Sequence, residues 1–364
     1  MPGKSVLRDA VENIVSGFPR RHLIHLPTPL QEMKALSAQL GINLWVKRDD
    51  LTGLAMGGNK GRKLEFVIAD AIAKNANSII SWAGVQSNWC CQLAAAARKC
   101  HIQPILVLFK RPGLPSALDG NALLDTIYGA EIHRIDLGDR SMMEFESVRE
   151  LIDTIVEREH EAGRRCYVAP IGASMTGGSM TRPLGAIGFF NAAAELLEQA
   201  EARNFSVDSI VFATGSGSMQ AGLIAGTKLL RPKARNIGIS VSDPGANMSR
   251  AVEIISREML EEMPPELRRS ATIAADDIIV FDDYIDQGYG ILNTETVDAV
   301  EMVARTEGLM LDPVYSGRAF AGMLDLIRKG YFRPGENVLF LHTGGLPALF
   351  AYKEGVLKNS TAVE

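Results

Sequence analysis

Two periodicities alternate along the chain. Short apolar runs at 44–47, 78–82, 105–109, 131–135, 166–169, 209–213, 237–241 and 338–341 have the length and side-chain content of strands. Between them, apolar residues at helical spacing predict helices over 62–74, 89–99, 121–128, 141–162 and 183–202, and another from the glycine loop at 215 through 229. In 62–74 the inward face is Leu64, Phe66, Val67, Ile68, Ala71 and Ile72. A further helix starts at Asn293 or Thr294, both good N-caps, turns Val297, Val300 and Ala304 inward and stops at Gly308. The stretch 250–279 reads as helical and charged, and 170–182, rich in Gly, Ser, Met and Thr, as a loop returning the chain from one lobe to another. Alternating β and α elements imply a largely parallel sheet covered on both faces, an α/β fold.

The bulk properties narrow the class. A chain of 364 residues can bury a large core and divides into two lobes, expected as 1–55 plus 181–364 for the large domain and 56–180 for the small one. A net charge of −5 argues against nucleic acid or an anionic membrane as partner, since either demands a basic face. No apolar run reaches the ~18 residues of a membrane span, and Arg8, Asp9 and Glu12 interrupt the apolar N-terminal stretch, so no secretory signal is expected. Cys90, Cys91, Cys100 and Cys166 lack the spacing of a metal site, and adjacent Cys90 and Cys91 make a poor disulfide. They read as reduced, packed thiols of a cytoplasmic protein.

Chemistry concentrates in a few polar segments. Gly215-Ser216-Gly217-Ser218-Met219-Gln220 follows an apolar strand and opens a helix, so its N–H groups can converge on a phosphate. A dinucleotide site would need glycine where Gln220 stands, leaving a monophosphate or a tight turn using glycine for geometry alone. Lys60, in Gly57-Gly58-Asn59-Lys60, is either a solvated surface charge or an amine pushed toward its neutral, nucleophilic form by a helix N-terminus. A lysine at a helix entrance plus a separate phosphate loop is what a Schiff-base enzyme using pyridoxal phosphate requires. Gln86-Ser87-Asn88 can cap a helix, hold a carboxylate, or both. Tyr289, in the loop Gln287-Gly288-Tyr289-Gly290, and Tyr315, on a helix-entry turn, are lone phenols, which are ordinarily core or rim residues; His342 reads as structural. Thr343 projects from the carboxyl end of a strand, where α/β sites collect.

In order, His25-Leu26-Pro27-Thr28-Pro29-Leu30, Lys47-Arg48-Asp49-Asp50, Gly57-Gly58-Asn59-Lys60, Gln86-Ser87-Asn88, Asp312-Pro313-Val314-Tyr315 and His342-Thr343-Gly344-Gly345-Leu346-Pro347 span most of the chain. This series resembles the pyridoxal-phosphate lyase and deaminase family that contains D-cysteine desulfhydrase, L-cysteate sulfo-lyase and 1-aminocyclopropane-1-carboxylate deaminase. The resemblance implies the tryptophan-synthase-β type of fold (fold type II), two αβα lobes with pyridoxal 5'-phosphate between them, usually in a homodimer. It implies that Lys60 carries the Schiff base with Asn59 beside it, that Asn88 meets the ring oxygen, and that residues 215–220 hold the phosphate. Ser87, with Asn88 and Trp89, would bind the substrate carboxylate, Tyr289 and Tyr315 would flank the reacting carbon, and Thr343 would face the ring nitrogen.

The implied reaction is β-elimination on a small cysteine- or cysteate-like amino acid, giving pyruvate, ammonia and the leaving group. Cyclopropane ring opening, racemisation and a non-catalytic small-ligand binder are the alternatives. The deaminase branch typically has Glu at Ser316 and Leu at Thr343, which speaks for the desulfhydrases and sulfo-lyases. The chain departs from the family where a His and an Arg are replaced by Trp89 and Cys91, Thr after the lysine by Gly61, and a hydroxyl residue by Met219. Loss of a cation near the substrate weakens the case for an anionic leaving group. Trp89 filling the substrate space would favour the binder.

Overall fold

The strands predicted from the apolar runs assemble into two separate sheets. The computed structural model describes residues 4–110, 113–136, 148–231 and 233–357. Its strands are β1 (Leu30–Glu32), β2 (Asn43–Arg48), β3 (Ser78–Gly84), β4 (Gln103–Lys110), β5 (Glu131–Asp136), β6 (Cys166–Val168), β7 (Ser209–Thr214), β8 (Arg235–Ser240), β9 (Ile279–Phe281) and β10 (Asn337–His342). One sheet has six strands in the order β1-β2-β10-β7-β8-β9, the other four in the order β5-β4-β3-β6. Only the β1–β2 pair is antiparallel among these pairings; the others run parallel. The four-stranded sheet is therefore an insert between β2 and β7. β3 is buried along its whole length, as is β7, which is what continuous apolar strands with helices on both faces produce.

Close helix packing joins the two parts. The helices Leu184–Ala202 and Ser218–Leu230 meet at glycines: a Cβ at Gly222 would lie 2.2 Å from the Ala186 carbonyl oxygen. A Cβ at Gly188 would lie 2.5 Å from the Arg62 carbonyl oxygen, so the same long helix presses against the helix Lys60–Ala73. A buried ionic network pins that helix. The Arg62 guanidinium donates to Asp49 at 2.7 and 2.8 Å and to Glu195 at 2.9 Å, while Lys47 Nζ reaches Glu195 at 2.5 Å and the Thr28 carbonyl at 2.6 Å.

Several sequence readings need correction. The helix predicted over 62–74 begins two residues earlier, which puts Lys60 in its first turn. Ile72 is exposed, whereas Arg62, Lys63 and Glu65 are buried by polar partners that periodicity cannot see. The charged stretch 250–279 is not continuously helical: it holds the end of the helix Gly245–Glu261 and the short helix Pro265–Ser270, and at Ile279 it enters the edge strand β9. The N-terminal helix Lys4–Ser16 packs Val11, Ile14 and Val15 into the core. Of the helix predicted over 141–162, the part from Arg149 to Glu161 is observed; 141–147, Arg111-Pro112 and the polar C-terminal tail from 358 lie outside the described residues. Asn293 caps its helix through the Thr296 N–H, and Gly308 ends it in the left-handed conformation, as predicted.

No helix among the described residues is long and apolar enough to cross a membrane, and no cluster of His, Cys, Asp or Glu there is arranged to hold a metal. All four cysteines are unpaired, and burial pushes the Cys90 and Cys91 thiols well up.

Candidate active site

A cavity of about 200 Å³ lies where the carboxyl ends of both sheets face each other. Three helix N-termini open onto it, at Lys60, at Ser87-Asn88 and at Gly217-Met219. Their dipoles and first-turn N–H groups give the cavity a positive bias suited to anions, although the N–H groups of Gly61, Trp89 and Cys90 also have side-chain acceptors. Asn59, Lys60, Ser87, Asn88, Trp89, Gly215, Ser216, Gly217, Met219, Tyr289, Tyr315 and Thr343 all line it.

Lys60 is held there by its approach loop. Gly57 and Gly58 have φ of 87° and 130°, and a Cβ at Gly57 would fall 1.8 Å from the Asp50 carbonyl oxygen, so glycine is required. Gln92 ties this turn to the neighbouring helix, accepting from Gly61 N at 3.0 Å and donating to the Gly57 carbonyl at 3.2 Å. Asn59 N donates to the Thr343 carbonyl at 3.0 Å, linking the lysine turn to the end of β10. Burial lowers the Lys60 amine to about 8, with Asp312 acting against the shift. The nitrogen sits 5.7 Å from the centroid of the Tyr315 ring.

The glycine loop and the helix Ser218–Leu230 form a cup. Gly217 caps the helix with φ of 84°. Ser218 does not line the cavity; its hydroxyl accepts from Lys63 Nζ at 2.8 Å. Gln220 is also turned away, its amide donating to the Ile279 carbonyl of β9 at 2.9 Å. Met219 meets Asn59, whose amide nitrogen is 3.2 Å from the sulfur. Lys63 was not singled out from the sequence, yet it lines the cavity one helical turn beyond Lys60. Its hydrogen-bond partners among the described residues are neutral oxygens, Ser218 Oγ and the Gly172 carbonyl at 2.9 Å, and the nitrogen lies 5.8 Å from the centroid of the Phe189 ring. Burial and the Lys60 charge push its amine well down, so a dianion in the cup would be its natural partner.

On the other side, Ser87 is the N-cap of the helix Asn88–Lys99, its hydroxyl 3.2 Å from the N–H groups of Trp89 and Cys90. The Trp89 indole N–H is drawn away from the cavity onto Ser81 Oγ at 2.7 Å, and that hydroxyl donates to the Ala169 carbonyl. Trp89 therefore forms a wall without filling the space. Tyr289 and Tyr315 share a hydroxyl contact of 2.7 Å. Burial pushes both phenols up, so both are protonated acids at neutral pH. Asp312, which the sequence offers only as part of a motif, orders Tyr315 by accepting from the N–H groups of Val314, Tyr315 and Ser316. His342 is structural: burial keeps it neutral, and Nε2 lies 3.0 Å from the Met310 carbonyl.

Residues 22–344 match the model of a pyridoxal-phosphate dependent enzyme. The chain belongs to that family. It is 38% identical to D-cysteine desulfhydrase of Klebsiella pneumoniae (strain 342) over 338 residues, 92% of this chain and 96% of that protein. The crystal structure of an ACC deaminase homologue superposes with a TM-score of 0.83 at 35% identity, covering 96% of this chain and 98% of the other. A maize serine racemase matches with a TM-score of 0.59 at 19% identity over 93% of this chain and 94% of its own, a likeness of fold. The fold is therefore the type II arrangement of the pyridoxal-phosphate enzymes, and the cofactor is pyridoxal 5'-phosphate. The residues present fit that group: a buried amine for its aldehyde, a glycine cup at a helix N-terminus for its phosphate, and a buried lysine there whose hydrogen-bond partners among the described residues are neutral oxygens.

Proposed function

We propose that this enzyme is a lyase that eliminates the β-substituent of a small, cysteine-like amino acid, releasing pyruvate, ammonia and the leaving group. The observation that carries the reading is a buried amine near neutrality set against two hydroxyl-linked, protonated tyrosines in one cavity. When bound, pyridoxal phosphate supplies an aldehyde and a conjugated ring that accepts the electron pair left as the α-proton departs. The residues' own tasks follow from their chemistry. Backbone N–H groups of 215–220 and the Lys63 amine, whose charged form a phosphate dianion would favour, hold the phosphate. The Asn88 amide meets the ring oxygen, and the neutral Thr343 hydroxyl faces the ring nitrogen without forcing it to stay protonated. Asn59 steadies the lysine turn from beneath.

Ser87 and the helix N–H groups behind it, including that of Trp89, bind the substrate carboxylate. Lys60 takes the α-proton, since its amine is partly neutral near pH 8. The tyrosine pair gives a proton to the departing group, because phenols raised by burial act as acids rather than bases. The described lining residues include no arginine or histidine, which favours a thiol over a sulfonate as leaving group.

The same reading places the enzyme in the cytoplasm as a homodimer and divides each chain into 1–55 plus 181–364 and 56–180. Four unpaired thiols support the compartment; the family resemblance supports the dimer; the insertion of the four-stranded sheet supports the division.

A second reading is cyclopropane ring opening, favoured by the superposition on the ACC deaminase homologue. Ser316 weighs against it: its hydroxyl is committed to Asp312 at 2.6 Å and lies outside the cavity lining. The test is incubation of the holoenzyme with D- and L-cysteine, cysteate, D-serine, chloroalanine and aminocyclopropane carboxylate, with pyruvate, 2-oxobutyrate, sulfide, sulfite and enantiomer ratio measured. Pyruvate with sulfide is expected. Appearance of 2-oxobutyrate alone overturns the reading, and racemised substrate without either keto acid points to a racemase.

A further inference from the structure

An asparagine side chain has a donor end and an acceptor end, and at Asn88 the cavity can meet either. The surrounding hydrogen bonds decide which. Gln86 Nε2 lies 3.0 Å from the Asp119 carbonyl oxygen, an atom that can only accept, so the nitrogen end of Gln86 is fixed there. Its oxygen end then accepts from Asn121 N at 2.9 Å. The Asn121 amide is fixed in turn, because its Nδ2 lies 2.9 Å from the Gln86 backbone carbonyl. The second proton of that nitrogen is directed to Asn88 Oδ1 at 2.7 Å. Each orientation is traced to a backbone group whose role is not negotiable.

The consequence falls on the cavity. Asn88 lines it, Asn121 does not, and Asn121 is almost fully buried at the start of the helix Gly120–Ile127. With its oxygen held by Asn121, Asn88 is left with Nδ2, which has no partner among the described residues and lies beside Gly345, where a Cβ would come within 2.7 Å of it. We infer that Asn121 is a positioning residue that fixes the Asn88 amide with its donor toward the cavity, so that the site favours a deprotonated, negatively charged ring oxygen on the cofactor. A reversed amide would set oxygen against oxygen and favour the protonated ring oxygen instead. The inference rests on the proposal that Asn88 meets that ring oxygen.

The cofactor reports this directly, since its visible band depends on whether the ring oxygen carries a proton. The experiment compares wild type, Asn88→Ala, Asn121→Ser, Asn121→Asp and the double variant Asn88→Ala/Asn121→Ser. The readouts are the pH dependence of the holoenzyme's visible and near-ultraviolet bands and the dissociation constant of pyridoxal phosphate from the apoprotein. Asn121→Ser is expected to move intensity from the visible to the near-ultraviolet band and to weaken cofactor binding by roughly tenfold, the scale of one hydrogen bond to a charged acceptor. Asn121→Asp, which keeps the shape but only accepts, shifts the bands further and serves the same purpose should the serine variant fail to fold. In the Asn88→Ala background, Asn121→Ser adds nothing further. Three results overturn the inference. If Asn88→Ala leaves the bands unchanged, the Asn88 assignment itself falls. If Asn88→Ala shifts them and both Asn121 variants do not, Asn121 has no positioning role while the Asn88 assignment stands. If the Asn121→Ser effect persists in the Asn88→Ala background, Asn121 acts through packing and not through the amide.

Discussion

Asp49→Asn tests whether the buried ionic network holds the helix that carries Lys60. Asp49 is fully buried and Arg62 nearly so, and the two meet through paired hydrogen bonds of 2.7 and 2.8 Å. Asp49 and Glu195 balance Arg62 and Lys47, so the amide substitution leaves one positive charge uncompensated in a region closed to water. Removing one partner of a buried pair costs about 3–5 kcal/mol. With an unfolding entropy of about 2 cal/mol/K per residue, a chain of this length loses about 4–7 °C in Tm. The assay is scanning calorimetry of the apoprotein, which excludes any contribution from cofactor binding. The double variant Asp49→Leu/Arg62→Met, which removes both charges and leaves Lys47 paired with Glu195, should recover most of the loss. A drop below about 1 °C for Asp49→Asn, or no recovery in the double variant, refutes the reasoning.

Four further outcomes are expected. Lys60→Ala folds but gives no Schiff-base visible band with pyridoxal phosphate and loses at least about a thousandfold in kcat, read by spectrophotometry and pyruvate release; a retained band would mean another amine is used. Because burial lowers Lys60 to about 8 from an ordinary 10.5, capture of pyridoxal phosphate by the apoprotein should quicken about tenfold per pH unit up to about pH 8 and then level; a midpoint near the ordinary value would contradict the burial argument. Burial alone would raise the Glu195 carboxyl, but Arg62 and Lys47 outweigh it and hold it at about 2. Its stabilisation is present above the ordinary carboxylate range and lost as pH falls from about 4 toward 2, so Glu195→Gln should flatten that acid limb in urea midpoints. Gly188→Ala forces a methyl to within 2.5 Å of the Arg62 carbonyl and should cost about 1–3 kcal/mol by urea denaturation, where a neutral effect would show that the helices can part freely.

What could be read from the sequence depended on how local the cause was. Strands such as β7 and β10 have apolar centres bounded by polar residues, and the Asn293 and Gly308 caps act within a few residues, so both were visible in the chain. β9 was not, because its three half-buried residues follow charged helices and pair only with β8. Glycine loops announced the cup, but the direction of individual side chains did not follow. Gln220 turns to the edge strand because its amide satisfies the Ile279 carbonyl, while Ser218 faces Lys63. Lys63 could have been found from its spacing, one turn past Lys60 on the same helix face. The roles of Asp312 and Arg62 could not, since each depends on partners brought together by the fold.

The inserted four-stranded sheet has a consequence for how such enzymes diverge. The groups proposed to grip the amino acid, Ser87 to Trp89, belong to the insert, whereas the loop from Gly215 to Met219 belongs to the sheet that flanks it in sequence. Change at Ser87 or Trp89 can therefore reshape substrate preference while the glycine loop goes on retaining the phosphate, so long as Lys60, Lys63 and Asn88 of the same insert keep their hold on the rest of the vitamin-derived tool. Trp89 and Cys91, seated on the helix that Ser87 caps, are where such change would act.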